Sequence, residues 1–244
     1  MYDIKTSIQQ YLLKKGFPKS SLKAVLFDMD GVLYDSMPGH ASAWVEVMKR
    51  HGLSMTAEDV YLNEGRIGVD TINLIAKRAG KTYDLNERKR IYQEKTKVFM
   101  SYPPTPVMHG SPELIQKITA QGLSTMLVTG SGQASLLDRI IHDFNNIFTN
   151  DNMVTAFDVI NGKPHPESYL TALKKGGLHP YEAIVIENAP LGIEAACAAG
   201  LFVIAVNTGI LSDSLLLDAG ANILYPSLMT FYNDWDIIYN QLNN

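Results

Sequence analysis

The run Ala24-Val25-Leu26-Phe27-Asp28-Met29-Asp30-Gly31 places two carboxylates two residues apart at the end of a short apolar segment. Positions i and i+2 share a face of a strand. Two acids at the carboxyl end of a buried strand are costly unless chemistry uses them. A metal ion and a nucleophilic carboxylate would account for both. Asp-x-Asp-Gly strings also occur in turns and calcium loops, but the apolar run before this one points to a strand end. Three more segments follow in order. Leu127-Val128-Thr129-Gly130-Ser131 ends a strand in two hydroxyls around a glycine. Gly162-Lys163-Pro164 holds a lysine between two backbone-restricting residues. Ala183-Ile184-Val185-Ile186-Glu187-Asn188 ends a strand in an acid and an amide. Together they offer a nucleophile, phosphate ligands, a fixed cation and metal ligands.

The elements that must position these groups read as alternating strands and helices. Strands are expected at 22–28, 123–129, 153–156, 182–187, 201–206 and 222–225. Helices are expected at 111–121, 131–143, 166–176 and 190–199. Such alternation implies a parallel sheet with helices on both faces, an α/β doubly wound architecture. The strands are apolar and mostly non-alternating, as required when both faces are covered. Ligands bind outside the carboxyl ends of such strands, where the polar motifs lie. From about Met37 to Pro106 the alternation stops. Helical patterns at 40–51, 56–63, 69–79 and 86–101 replace it, with linkers near 34–37 and 102–107. The expected organisation is therefore an N-terminal helical extension over 1–21, a core over 22–36 and 107–244, and a helical cap over 37–106.

Composition bounds the function classes. The chain has 244 residues, 46% hydrophobic and 19% charged, with a formal net charge of −4. That is an ordinary globular composition, and the charge argues against a nucleic-acid partner. The single cysteine, Cys197, excludes an intramolecular disulfide and reads as a buried small hydrophobe. No apolar run approaches the ~18 residues that span a membrane. Met1 to Lys15 mixes lysines with Ile4, Ile8, Tyr11 and Leu12, an amphipathic helix rather than a signal peptide. A cytoplasmic monomer is the default expectation, with no membrane partner.

The four motifs, in this order, resemble those of the haloacid dehalogenase (HAD) superfamily, and the cap resembles the helical C1-type cap of its β-phosphoglucomutase-like subfamily. The resemblance covers about Leu22 to the C-terminus. It implies a Rossmann-like core and a phosphotransferase. It implies Asp28 as the nucleophile that forms an aspartyl-phosphate, and Asp30 as general acid and base. Thr129, Gly130 and Ser131 would hold the transferring phosphoryl group, although Ser131 also suits a helix cap. Lys163 would be the fixed positive charge. Mg2+ is the implied cofactor, held by Asp28, the Asp30 carbonyl and groups from Glu187 and Asn188. The substrate would be a small phosphorylated compound. Dehalogenases lack an acid at the position of Asp30, and phosphonoacetaldehyde hydrolases carry a small residue there, so both chemistries are disfavoured.

One departure from the family pattern narrows the reading. Relatives generally carry a second acid where this chain has Asn188, so the metal site is one negative charge short. The cap segment Asn63-Glu64-Gly65-Arg66-Ile67-Gly68 offers a replacement. Glu64 could reach the metal on cap closure, and Arg66 could contact a distal phosphate or a sugar. Both could equally be solvated loop residues. Glu-Gly-Arg in the cap with Glu-Asn-Ala-Pro in the core looks like a HAD-type inorganic pyrophosphatase. A cap carboxylate on the metal would shrink the cavity and disfavour a hexose, while pyrophosphate would fit. A β-phosphoglucomutase and a non-enzymatic phosphate-binding protein are the alternatives. His40, ten residues after Asp30, could bond that acid or the substrate, or be a satisfied core histidine. Lys81, Lys95 and Lys97 are expected on solvated helix faces, and Trp44, Tyr92 and Phe99 in the cap interior. His165 is assigned no role.

Overall fold

The computed structural model describes residues 3–132 and 134–243. Positions 1, 2, 133 and 244 belong to the expected N-terminal extension, the expected helix 131–143 and the end of the core, and lie outside the described residues. Six strands, β1 (Ala24–Phe27), β2 (Ser124–Val128), β3 (Met153–Val154), β4 (Ala183–Glu187), β5 (Phe202–Val206) and β6 (Ile223–Tyr225), form one sheet. Its order is β3-β2-β1-β4-β5-β6, and every pairing is parallel. All six expected strands are present, each shorter than expected by at least one residue.

The sheet is a Rossmann-like core because its strands are covered on both faces. In β1, Val25 and Phe27 enter one hydrophobic cluster while Ala24 and Leu26 enter the other. The first cluster is closed by helices α1 (Ile4–Lys15), α6 (Ser111–Ala120), α7 (Ala134–Asp143) and α11 (Leu228–Leu242). The second is closed by α8 (Glu167–Gly176), α9 (Pro190–Ala198) and the short α10 (Asp213–Asp218). Helices α10 and α11 were not expected from the sequence. Phe231, Trp235, Ile238 and Leu242 of α11 are buried at helical spacing, which was the readable signal. Cys197 is half-buried rather than buried, and its thiol donates to the Gly220 carbonyl at 3.2 Å.

Four helices lie between β1 and the core helix α6: α2 (Met37–Arg50), α3 (Ala57–Leu62), α4 (Gly68–Arg78) and α5 (Leu85–Met100). They bury a cluster of their own around Trp44, Val47, Ile72 and Ile91. Thr56 and Asp84 start α3 and α5 with reciprocal side-chain and backbone hydrogen bonds to Asp59 and Glu87. The chain leaves and re-enters the core along paired linkers. Tyr34 bridges Val107, and the Asp35 amide donates to the Pro106 carbonyl at 3.0 Å. Tyr34 also bridges Asp30, so the crossing point touches the acid motif directly. Among the described residues no helix is long and apolar enough to cross a membrane.

The N-terminal helix is fastened to the core by Tyr11, which is 5% exposed and donates to the Gly200 carbonyl at 2.9 Å. Removing that hydroxyl leaves a half-buried carbonyl without its donor, a loss of about 1 kcal/mol. Tyr11→Phe is therefore expected to lower Tm by roughly 2–4 °C with kcat/KM unchanged. A large loss of activity at unchanged Tm would show instead that α1 acts on the site.

Candidate active site

Register brings the motifs together. Phe27 pairs with Leu127 on one side and Ile186 on the other, so the residues that follow all emerge at one edge. That edge lies where the strand order reverses, the place where open α/β sheets bind ligands.

Lys163 is at its centre. Its ammonium donates to Asp28 Oδ1 at 2.5 Å, to Glu187 Oε1 at 2.6 Å and to the Val128 carbonyl at 3.3 Å. Its side chain is 1% exposed. Burial works against its charge, but Asp28 and Glu187 outweigh it and hold its pKa well above the usual lysine value. Burial pushes the Asp28 carboxyl up to about 8 against the pull of Lys163, and Glu187 and Asp30 add to that push.

Glu187 was expected among the metal ligands, and its surroundings correct that expectation. Oε1 accepts from Lys163 and from the Tyr169 hydroxyl at 2.8 Å. Oε2 accepts from the backbone amides of Asn188 at 3.0 Å and Ala189 at 3.3 Å. A carboxylate has about four acceptor positions, and all are taken. Glu187 thus orients Lys163. Tyr169 is a site residue that the sequence did not disclose. Gly192 makes the room, since a Cβ there would lie 1.8 Å from Glu187 Oε1.

Asp30 accepts from Ser36 Oγ at 2.6 Å and faces His40 Nε2 at 3.1 Å. The other ring nitrogen, Nδ1, lies 2.7 Å from the Lys95 ammonium nitrogen. While Lys95 carries its proton it can only donate, so Nδ1 then accepts and the ring proton sits on Nε2, toward Asp30. Burial, then the Lys95 charge, depress the His40 pKa, leaving a neutral ring stacked 4.0 Å from Phe99. Burial would raise the Asp30 pKa, but His40 and Ser36 outweigh it and hold Asp30 ionised below its usual value.

Lys95 is a second correction. Expected on a solvated face, it is 2% exposed, with its nitrogen 5.3 Å from the Trp44 ring centre and 5.2 Å from that of Phe99. It shares a helical stripe with the buried Ile91 and Phe99, four residues to either side. Burial brings its pKa down to about 7.

Thr129 is 2% exposed and its hydroxyl accepts from the Ser131 amide at 3.0 Å, shaping the turn through Gly130. Asp28, Asp30, His40, Thr129, Gly130 and Ser131 all face one cavity, as do Glu64 and Arg66 from the insert. Its volume is about 80 Å3. Glu64 Oε1 and Oε2 accept from Asn188 Nδ2 at 3.2 and 3.1 Å, so a residue of the insert touches the core motif. Burial, then repulsion from Asp28, Glu187 and Asp30, pushes the Glu64 carboxyl well up. Asn188 Oδ1 is buried and has no hydrogen-bond partner. Arg66 Nε donates to Asn63 Oδ1 at 3.1 Å within its own loop.

Among the described residues no three His, Cys, Asp or Glu side chains form a ready metal cluster. A cation here would rely on mixed donors: Asp28, the Asp30 carbonyl, Asn188 and Glu64. The residues fit one. Asp28 and Glu187 share Lys163, Glu64 is repelled by Asp28, Glu187 and Asp30, and the orphaned Asn188 amide oxygen belongs to the side chain that Glu64 touches.

A six-stranded parallel core with a helical insert and a lysine-clamped aspartate at its switch point defines a hydrolase of the phosphoryl-transfer type. The haloacid dehalogenase-like hydrolase family model matches residues 22–200, and the chain belongs to that family. It is 30% identical over 190 residues to hexitol phosphatase A of Escherichia coli, covering 76% of this chain and 83% of that protein. It is 32% identical over 207 residues to a phosphorylated carbohydrates phosphatase of Thermotoga maritima, covering 82% and 92%. A solved structure named as a candidate beta-phosphoglucomutase, from Bacteroides vulgatus, superposes with a TM-score of 0.95 at 50% identity, covering 99% of this chain and 98% of that one. The protein is a HAD-like phosphatase-class enzyme with β-phosphoglucomutase-like relatives.

Lys95 gives the site a testable conflict between stability and activity. Below pH 7 both folded and unfolded chains carry its charge, and folding bears the full cost of burying it. As pH rises from 7 toward 10, only the unfolded chain keeps the proton, so wild-type stability rises. Lys95→Met should therefore stabilise the fold most below pH 7, by an amount on the order of 4 kcal/mol at most, and the gain should shrink toward pH 10. The same change frees the His40 tautomer and should lower kcat roughly tenfold or more. Denaturant melts at pH 6.5 and 9.5 with parallel kinetics check both; destabilisation at pH 6.5 would refute the reading.

Proposed function

We propose that this chain is a magnesium-dependent phosphohydrolase working through an aspartyl-phosphate at Asp28, with inorganic pyrophosphate as its leading substrate. The contact that carries the reading is Glu64 on Asn188 across the seam between insert and core. It returns to the site the charge that the amide at 188 lacks. It also closes the insert as a cap over a cavity of about 80 Å3, far below the ~300 Å3 of the smaller ligand pockets. A compact, highly charged substrate suits such a space better than a hexose phosphate.

In this reading Asp28 attacks phosphorus, and the bond to the leaving phosphate breaks as the aspartyl-phosphate forms. Lys163 holds Asp28 in line and neutralises charge beside it. The Thr129 hydroxyl and the turn at Gly130 and Ser131 cradle the transferring group. Asp28, the Asp30 carbonyl, Asn188 and Glu64 would hold Mg2+. The ion would supply positive charge that keeps Asp28 ionised and offsets charge on the phosphoryl oxygens. Asp30, kept ionised by His40 and Ser36, is suited to take a proton from the water that then cleaves the acyl phosphate. An alkoxide leaving group would first need a proton from Asp30, whereas inorganic phosphate leaves without one. That favours a phosphoric anhydride over a sugar ester.

A specific observation keeps a second reading in play. The cap side of the cavity is apolar and aromatic, with Met37, Trp44, Met55 and Tyr92, a surface that suits the face of a sugar ring. The relatives carry sugar-phosphatase and mutase names. The deciding experiment compares kcat/KM with Mg2+ for pyrophosphate and for β-glucose 1-phosphate, the latter with and without a bisphosphate activator. A preference for pyrophosphate by orders of magnitude, lost roughly 10²-fold in Glu64→Ala and abolished in a folded Asp28→Asn, is expected. Isomerisation of the sugar phosphate with weak pyrophosphate hydrolysis would establish the mutase.

A further inference from the structure

Gly162 and Gly130 are glycines for which the backbone gives no reason. Neither has the positive φ that favours glycine, unlike Gly31 at +82° and Gly65 at +83°. Space gives the reason instead. A Cβ on Gly130 would lie 2.7 Å from the Gly65 carbonyl oxygen and 3.2 Å from Gly65 Cα. A Cβ on Gly162 would lie 2.7 Å from Ile67 Cγ1 and 3.0 Å from the Ile67 amide nitrogen. Both contacts are with the Asn63–Gly68 loop of the insert, and both are tighter than packed side chains tolerate. The loop therefore rests on bare core backbone.

We propose that Gly162, together with Gly130, sets how deeply the Asn63–Gly68 loop descends onto the core, and so fixes the upper size of the phosphate compound that the closed site accepts. The proposal rests on the reading of a small-substrate phosphohydrolase and names the residues that enforce it. The depth matters because Glu64, on the same loop, reaches Asn188 at 3.1–3.2 Å only in this position. A methyl group at 162 meets the γ-methylene of Ile67, whose β-branched side chain is stiff at χ1, and the Ile67 backbone nitrogen, which cannot swing aside. The core side is the less able to yield, because the adjoining Lys163 is buried and tied by three hydrogen bonds. The loop is the part that lifts, widening the cavity and drawing Glu64 off Asn188. Gly162 touches no reacting group; it acts as a positioning residue through the loop.

The test uses Gly162→Ala and the double variant Gly162→Ala/Ile67→Ala, which removes the Cγ1 that the new methyl meets. Three quantities are read: Tm, hydrogen exchange of residues 63–68, and the ratio of kcat/KM for pyrophosphate to that for β-glucose 1-phosphate. Gly162→Ala is expected to melt within a few degrees of wild type, to exchange faster at 63–68, and to lower the ratio at least tenfold, mainly through kcat on pyrophosphate. The second substitution is expected to return exchange and ratio toward wild type. Equal losses on both substrates without rescue would overturn the proposal, since Gly162 would then merely support Lys163. Unchanged exchange at 63–68 would overturn it as well. Absence of pyrophosphate hydrolysis by the wild type would instead remove the substrate reading, with loop exchange still deciding the role of Gly162.

Discussion

The site depends on one buried ion cluster: Lys163 held between Asp28 and Glu187. Isolated charges this deep would be several kcal/mol unfavourable, and such clusters persist only when every donor and acceptor is matched. Here the matching is supplied from five parts of the fold. The loop after β3 brings Lys163, the ends of β1 and β4 bring the two acids, and α8 brings the Tyr169 hydroxyl. The turn between β4 and α9 contributes two amides to Glu187, and the absent side chain at Gly192 of α9 leaves the carboxylate its space. Breaking such a cluster from one side leaves an uncompensated charge, a loss of about 3–5 kcal/mol. The lysine can thus be a rigid electrostatic fixture, and the Asp28 carboxylate beside it is held in one orientation before any substrate arrives.

Around that fixture the site carries more negative charge than the protein neutralises. Glu64 enters from the insert and is repelled by Asp28, Glu187 and Asp30, and the amide oxygen of Asn188 has no donor. These are liabilities in the bare chain and would become assets under the proposed binding of a divalent cation and a phosphate. Lys95 follows the same logic. Its burial under Trp44 and Phe99 is unfavourable for the fold, yet it fixes the ring proton of His40 toward Asp30. Stability is sacrificed where function requires preorganisation.

Much of the core was legible because two physical signals coincide in it. Strands covered on both faces must be continuously apolar, so the acids and hydroxyls at their ends stand out, as at Phe27-Asp28 and Ile186-Glu187. Four helical patterns without a strand between them marked the insert. Other features were hidden for identifiable reasons. Lysine is ordinarily solvated, and only the Ile91-Lys95-Phe99 spacing hinted that Lys95 is not. Glu187 looked like a metal ligand from its neighbour Asn188, whereas its orientation is set by Tyr169 and Gly192 from other parts of the fold. The meaning of Gly162 is steric and lies wholly in a loop almost a hundred positions away in the chain. The helix at 213–218 is too short to show a period, and the apolar stripe of 228–242 is interrupted by Tyr232, Asn233 and Asp234, which dilute its helical signal.

The central claim is that core and insert form one cation site, with Glu64 supplying what Asn188 lacks. Calorimetric titration of Mg2+ into the purified protein at pH 7 tests it without any assumption about substrate. The account requires one site per chain in the wild type and an affinity lower by roughly tenfold or more in Glu64→Gln, with the fold intact by its melting curve. Equal affinities for the two proteins would contradict it, and would return Glu64 to the role of a loop residue that only narrows the cavity.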